Sequence, residues 1–220
     1  MNQCGEANMT TAKVIEITRT GGPDVLQPSE RHLDAPSKGE AIVRQTAIGL
    51  NFIDTYIRTG LYPAPLPTVP GFEGAGIVET IGENVSHIEV GDRVAYCTQQ
   101  GTYATHIKGS TSGMIKLPDA ISDETSAAVM LKGLTAWMLL FEIKPVRPGD
   151  TVLIWAAAGG VGSILVPWAK TLGARVISIV STEEKAARVR ENGSDEGILA
   201  HENIAERVRE ITNGKGVDIS

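Results

Sequence analysis

Apolar and polar positions follow one rule in the first half of the chain and another in the second, and the change falls near Ser122. Before it, residues 13–17 alternate in polarity, residues 40–49 read as another strand, and short β segments punctuated by Gly and Pro follow at 74–81, 92–95, 103–108 and 114–116. That alternation predicts half-buried strands, with pairing resumed briefly at 25–27 after the Gly21-Gly22-Pro23-Asp24 break. Strands this closely spaced predict a compact β-barrel-like domain. The polar, aperiodic residues 1–11 read as a frayed leader.

From Ser122 the period lengthens to that of a helix. Ser122-Asp-Glu-Thr125 supplies a hydroxyl cap and an acidic first turn, and apolar residues at helical spacing over 132–141 run on to Pro145 and Pro148-Gly149. Thr151–Trp155 is then a continuous apolar run, as expected of a strand buried on both faces. A helix over 163–172, a strand over 175–180, a helix over 183–191, a short strand at 197–199, a helix over 204–212 and a strand from Val217 complete the series. Alternation of strands and helices predicts a parallel sheet covered by helices. A doubly wound sheet has six strands, so this one is expected to be truncated past its midpoint. The domains are expected at 1–124 and 125–220. Pro167 should kink its helix or cost about 3 kcal/mol, because it removes an N–H and its ring meets the preceding turn.

The turn after the first buried strand reads Ala157-Ala158-Gly159-Gly160-Val161-Gly162, the pattern A-x-G-x-x-G. Gly159 would let the backbone approach a pyrophosphate, Gly162 would let helix and strand pack closely, and the free amides of the helix start would face the phosphate oxygens. The second strand ends at Ser181 and Thr182, with Lys185 one turn on. Hydroxyls and a lysine there favour a 2′-phosphate over a bare ribose, hence NADPH, although Glu183 and Glu184 oppose it unless they face solvent. The alternative is that Ser181 or Thr182 merely caps the next helix. A second cluster, Asn51 with Tyr56 and Tyr62, could hold a carbonyl oxygen; equally, Asn51 could be an ordinary helix cap and Tyr56 a packing residue.

Charge and composition narrow the classes. A net charge of −6 with no dense Lys/Arg run argues against a nucleic-acid partner. The apolar runs are broken before the roughly 20 residues of a membrane span, and the first residues lack a signal peptide, so no membrane and a cytoplasmic location are expected. Cys4 and Cys97 lie too far apart in sequence to suggest a disulfide framework or a metal site, and His32, His87, His106 and His201 have no ligand spacing.

Asn51 to Pro63, Pro70-Gly-Phe-Glu-Gly-Ala-Gly76, Val90-Gly-Asp-Arg-Val94, Leu131-Lys-Gly-Leu-Thr135 and Ala156 to Gly162 together resemble the zinc-independent quinone oxidoreductases, zeta-crystallin-like members of the medium-chain dehydrogenase/reductase superfamily. The resemblance runs from about Lys13 to the last residue. It implies an α/β chain with a GroES-like β-barrel catalytic domain and a Rossmann dinucleotide-binding domain, NADPH as donor, a small-molecule quinone or enone as acceptor, and a homodimer. It also implies that Asn51, Tyr56 and Tyr62 serve the quinone site and that Thr135 lies near the nicotinamide. Ala158, Gly159, Gly160, Val161 and Gly162 would hold the pyrophosphate, and Ser181, Thr182 and Lys185 the 2′-phosphate. Zinc-dependent relatives begin the first segment with Cys and have His where Phe72 stands; Glu73 alone cannot build a zinc site. Leu199 or its neighbours stand where close relatives place a tyrosine for the 2′-phosphate.

Three functions follow as expectations: an NADPH-dependent quinone reductase transferring hydride or electrons without metal, an enoyl or enone reductase on the same scaffold, and a truncated non-catalytic nucleotide-binding or structural protein.

Overall fold

The computed structural model describes residues 9–220. Residues 1–8, with Cys4 and most of the expected leader, lie outside the described residues. Two compact units divide the chain, Met1–Leu131 and Lys132–Ser220.

The first unit is built on antiparallel strands. β1 (Thr10–Glu16) pairs with β2 (Gln27–Leu33), and a five-stranded sheet follows the order β6-β3-β4-β5-β7, formed by β3 (Glu40–Ile48), β4 (Gly74–Ile81), β5 (Arg93–Tyr96), β6 (His106–Ser110) and β7 (Ile115–Lys116). β1 extends this sheet through the segment before β6: Ile15 donates to the Tyr103 carbonyl and Thr105 to the Lys13 carbonyl, both at 2.8 Å. The pattern of β1 explains its place, since Ala12 and Val14 are buried while Thr11 and Lys13 face out. Val43, Val78, Val94, Tyr96 and Ile107 fill the interior with them. Register shifts at Ile42/Val43 and Gln45/Ala47 mark bulges, which increase the twist of the sheet. β2 is longer than the sequence suggests: 25–27 was the expected segment, yet Pro23–Val25 is a 3-10 turn and pairing runs on to Leu33. Its side chains are mostly exposed, so no alternation announces it. α1 (Phe52–Thr59) ends on Gly60, which takes the left-handed conformation at φ 82°.

In the second unit β8 (Thr151–Trp155), β9 (Arg175–Val180) and β10 (Glu196–Leu199) are parallel in the order β10-β9-β8. Val152 also bridges Ile219 in parallel on the free side of β8, where the sequence places the start of a fourth strand. The pleat sorts the side chains of β8 and β9. Val152, Ile154, Val176 and Val180 pack with α3 (Gly162–Thr171) and α4 (Glu183–Glu191), whereas Leu153, Ile177 and Ile179 pack with Val208 of α5 (Ile204–Ile211). Helices therefore cover both faces.

Pro167 sits inside α3 as the sequence requires, and its missing N–H has a replacement. The carbonyl four residues back, Ser163, accepts instead from the side-chain amide of Asn192 at 2.9 Å. Asn192 is the C-cap of α4, so the Asn192-Gly193 turn mends the neighbouring helix.

α2 (Asp123–Trp137) continues into a π-helical turn over Met138–Ile143. Ser122 caps it, accepting from the Thr125 amide at 3.1 Å. The expected junction at 124/125 falls in its first turn. This 21-residue stretch is long and apolar enough to cross a membrane by length and composition, contrary to the expectation that no run reaches that length. The discrepancy is physical: Lys132 and Gly133 interrupt an apolar run without interrupting a helix. Leu134, Trp137, Met138 and Ile143 on it are exposed.

Candidate functional site

The second unit presents the glycine turn that joins β8 to α3. β8 ends at Trp155, and Ala156 at φ 50° reverses the chain in a conformation that costs a non-glycine residue about 1 kcal/mol. Gly162 is where helix meets strand: a Cβ there would lie 2.5 Å from the Ala157 Cα, so only glycine fits. Gly159 answers to something else. A Cβ there would meet only the Ala156 carbonyl, at 3.0 Å, which leaves that side open to an approaching ligand. Within the turn, Gly159 donates to Ala156 and Ser163 to Gly159, both at 2.8 Å. The amides of Ala158, Gly160 and Val161 take no part in these backbone bonds among the described residues. Lys132 was not singled out from the sequence, yet its stem lies over Gly160, with Cδ 3.0 Å from a Cβ built there.

At the carboxyl ends of β8 and β9 lies a cavity of about 310 Å³ lined by Trp155, Ala156, Ala158, Gly159, Ser181 and Lys185 among others. Lys185 Nζ donates to Ser181 Oγ at 2.9 Å, so cation and hydroxyl stand together at its edge. Thr182 is an N-cap: its Oγ1 accepts from the Lys185 amide at 3.3 Å. The capping alternative thus describes Thr182, and Ser181 is left facing the cavity with Lys185. Ala200, not Leu199, lines the same cavity. Open backbone, unpaired amides and a lysine–hydroxyl pair fit a dinucleotide with a phosphorylated ribose. Thr135 is half-buried on α2, three residues beyond Lys132.

In the first unit, Asn51 begins α1 in a capping box with Asp54, whose carboxylate accepts the Asn51 amide at 2.8 Å. Tyr103 OH donates to the same Asp54 oxygen at 3.0 Å. Burial pushes the Asp54 carboxyl up, against the pull of these bonds, and burial beside the Asp54 charge raises the Tyr103 phenol. The Asn51 carboxamide is also engaged, donating from Nδ2 to Glu73 Oε1 at 2.7 Å, while Glu73 Oε2 accepts the Leu131 amide at 2.7 Å. Glu73 is fully buried. Gly49 makes room for it, since a Cβ there would stand 2.4 Å from Oε1.

Tyr56 and Tyr62 come together, with ring centroids 5.2 Å apart, and Phe52 adds a third ring 5.9 Å from Tyr56. The Gly60 turn is responsible, bringing the Tyr62 amide within 3.1 Å of the Tyr56 carbonyl. Tyr62 and Phe52 are exposed and Tyr56 is half-buried. Sequence reasoning missed Asp54 and Tyr103 and used Glu73 only as a zinc-site remnant. The spacing Asn51-x-x-Asp54 was the available signal for the first. Among the described residues no three His, Cys, Asp or Glu side chains cluster as metal ligands.

Residues 37–128 match the alcohol dehydrogenase GroES-like domain and residues 160–220 the zinc-binding dehydrogenase family. The chain belongs to the medium-chain dehydrogenase/reductase superfamily. It is 49% identical to a quinone oxidoreductase of Pseudomonas aeruginosa over 207 residues, which is 93% of this chain and 64% of that protein. It is 46% identical to a 2-haloacrylate reductase of a Burkholderia species, over 92% of this chain and 63% of that one. The Escherichia coli quinone oxidoreductase complexed with NADPH superimposes with a TM-score of 0.91 at 45% identity, over 93% of this chain and 64% of that one. The chain thus spans about 64% of the length of the quinone oxidoreductases it matches. The fold is accordingly a GroES-like domain joined to a Rossmann-type domain.

Proposed function

We propose that the protein reduces quinones with NADPH and without a metal. The observation that carries this reading is the open glycine turn beside the Lys185–Ser181 pair, in a chain 45–49% identical to quinone oxidoreductases. Bound NADPH would supply the hydride. The chain's part is to hold and orient. The Gly159 side of the turn and the amides of Ala158, Gly160 and Val161 would take the pyrophosphate, Ser181 and Lys185 the 2′-phosphate, and Thr135 would stand near the nicotinamide. Lys132, over Gly160, adds positive charge beside the turn. Asn51, held as a donor, would hydrogen-bond the substrate carbonyl, and Tyr56 and Tyr62 would stack on a planar ring. Asn51 and Phe72 stand where zinc-dependent relatives carry Cys and His, so the donor set favours direct hydride transfer over Lewis-acid chemistry. A cytoplasmic homodimer belongs to the same reading, and light scattering of the purified protein checks the dimer.

The test is NADPH oxidation with 1,4-benzoquinone as acceptor. Turnover is expected, and inactivity there together with turnover of an α,β-unsaturated ketone rejects quinone as substrate. Lys185→Ala is expected to weaken NADPH binding about tenfold or more and to leave NADH binding within about twofold, measured by fluorescence titration.

A second reading, an enone reductase, is favoured by the likeness to the Burkholderia 2-haloacrylate reductase and by a half-buried phenol in the ring cluster. Tyr56 would then protonate the reduced product. Tyr56→Phe separates the two: a proton donor loses about 100-fold or more in kcat, and a stacking ring little.

A further inference from the structure

The Asn51 carboxamide is held from its nitrogen inside the first unit. Nδ2 donates to Glu73 Oε1 at 2.7 Å, while the Asp54 amide bonds the Asn51 backbone carbonyl at 3.1 Å. An ionised carboxylate only accepts hydrogen bonds, so a neighbouring amide can turn only its NH₂ toward it. Glu73 also has little freedom of its own. It is fully buried, its second oxygen takes the Leu131 amide at 2.7 Å, and the Gly49 backbone closes in where a Cβ would clash.

We propose that Glu73 is a positioning residue: it fixes the Asn51 carboxamide so that the second Nδ2–H is left to donate to the substrate oxygen. The assignment rests on Asn51 being a substrate contact, as proposed above. Glutamine in place of Glu73 keeps the shape and breaks the logic. The Leu131 amide, part of a helix, cannot turn around, so the new side chain accepts there and points its NH₂ at Asn51. Asn51 must then flip to offer its oxygen, and the donor aimed at substrate is lost.

Glu73→Gln is therefore expected to lower kcat with quinone about 10-fold to 100-fold, with NADPH affinity within about twofold and the fraction of folded protein unchanged. Adding Asn51→Asp to Glu73→Gln restores the internal bond, Gln donating to Asp. It should recover any lost thermal stability and leave kcat low. Full activity in Glu73→Gln, beside a large loss in Asn51→Ala, overturns the role of Glu73. Full activity in Asn51→Ala instead overturns the substrate reading itself, and the positioning role with it. If Glu73→Gln does not fold, the unaltered protein decides by NMR. One Asn51 side-chain NH proton should be protected from exchange and indifferent to added 1,4-benzoquinone, while its twin shifts; a pair that shifts together or not at all overturns the proposal.

Discussion

Gly159 and Gly162 stand three residues apart in one turn and answer to different demands. Gly162→Ala drives a methyl into the Ala157 backbone and is expected to destabilise the protein by about 2–3 kcal/mol, measured by denaturant unfolding. Gly159→Ala meets one carbonyl at 3.0 Å, so the unfolding midpoint should move far less than for Gly162→Ala, while NADPH affinity should fall about tenfold or more on the proposed reading, because the methyl would fill the open side of the turn. These glycines and Lys185 were legible because their backbone demands and spacing recur wherever a diphosphate meets a helix. Lys132 was not, since it reaches the turn from an element remote in sequence. Glu73 was half legible: its presence without a histidine before it disfavoured zinc, but nothing in the sequence showed that its oxygens accept from the Asn51 carboxamide and the Leu131 amide. The choice between Thr182 as cap and Thr182 as ligand needed coordinates, because both uses ask for the same hydroxyl in the same place.

Among the elements, α3 gives the sharpest test. Asn192→Ala leaves the Ser163 carbonyl without its partner and is expected to cost about 1–2 kcal/mol. In a Pro167→Ala background the helix regains an N–H for that carbonyl, and the cost of Asn192→Ala should vanish; a double-mutant cycle of unfolding free energies reads the coupling. A second test lies where β9 and β10 are joined. The carboxylate of Asp195 accepts from Lys170 Nζ and, at 2.7 Å, from the Val176 amide. Burial alone would raise its pKa, but these partners outweigh it and hold the group below the ordinary carboxylate value. A carboxyl depressed by folding stabilises fully above its unfolded pKa, near 3.9, and loses that contribution as pH falls through the lower folded value. The stability gap between the protein and Asp195→Asn should therefore be constant above about pH 5 and shrink as the pH drops below about 4, followed by urea unfolding. The strands legible in the sequence were those whose burial leaves a mark on it, as alternation in β1 or as an unbroken apolar run in β8 and β9. β2 escaped because its side chains are exposed on both faces and only its backbone pairing makes it a strand.

Each of the two units holds its own apolar clusters, and the glycine turn belongs wholly to the second. If the turn takes NADPH as proposed, NADPH at 100 times its Kd should raise the unfolding free energy of the second unit by about 2.7 kcal/mol. Hydrogen exchange is expected to slow first at the amides of 158–161, and equal slowing in β3 and β4 would count against a site confined to this turn. The α/β class and the two-unit plan were readable from the change of period near Ser122. The exact division was not, because one continuous helix carries the chain across it and a helix has no internal signal for where contacts change sides. The mend at Ser163 reaches beyond this one protein. A carboxamide at 192 is useful only while an imino acid occupies 167, so inheritance should couple the two: descendants that regain an ordinary residue at 167 are released to lose asparagine at 192, and those that keep proline are not.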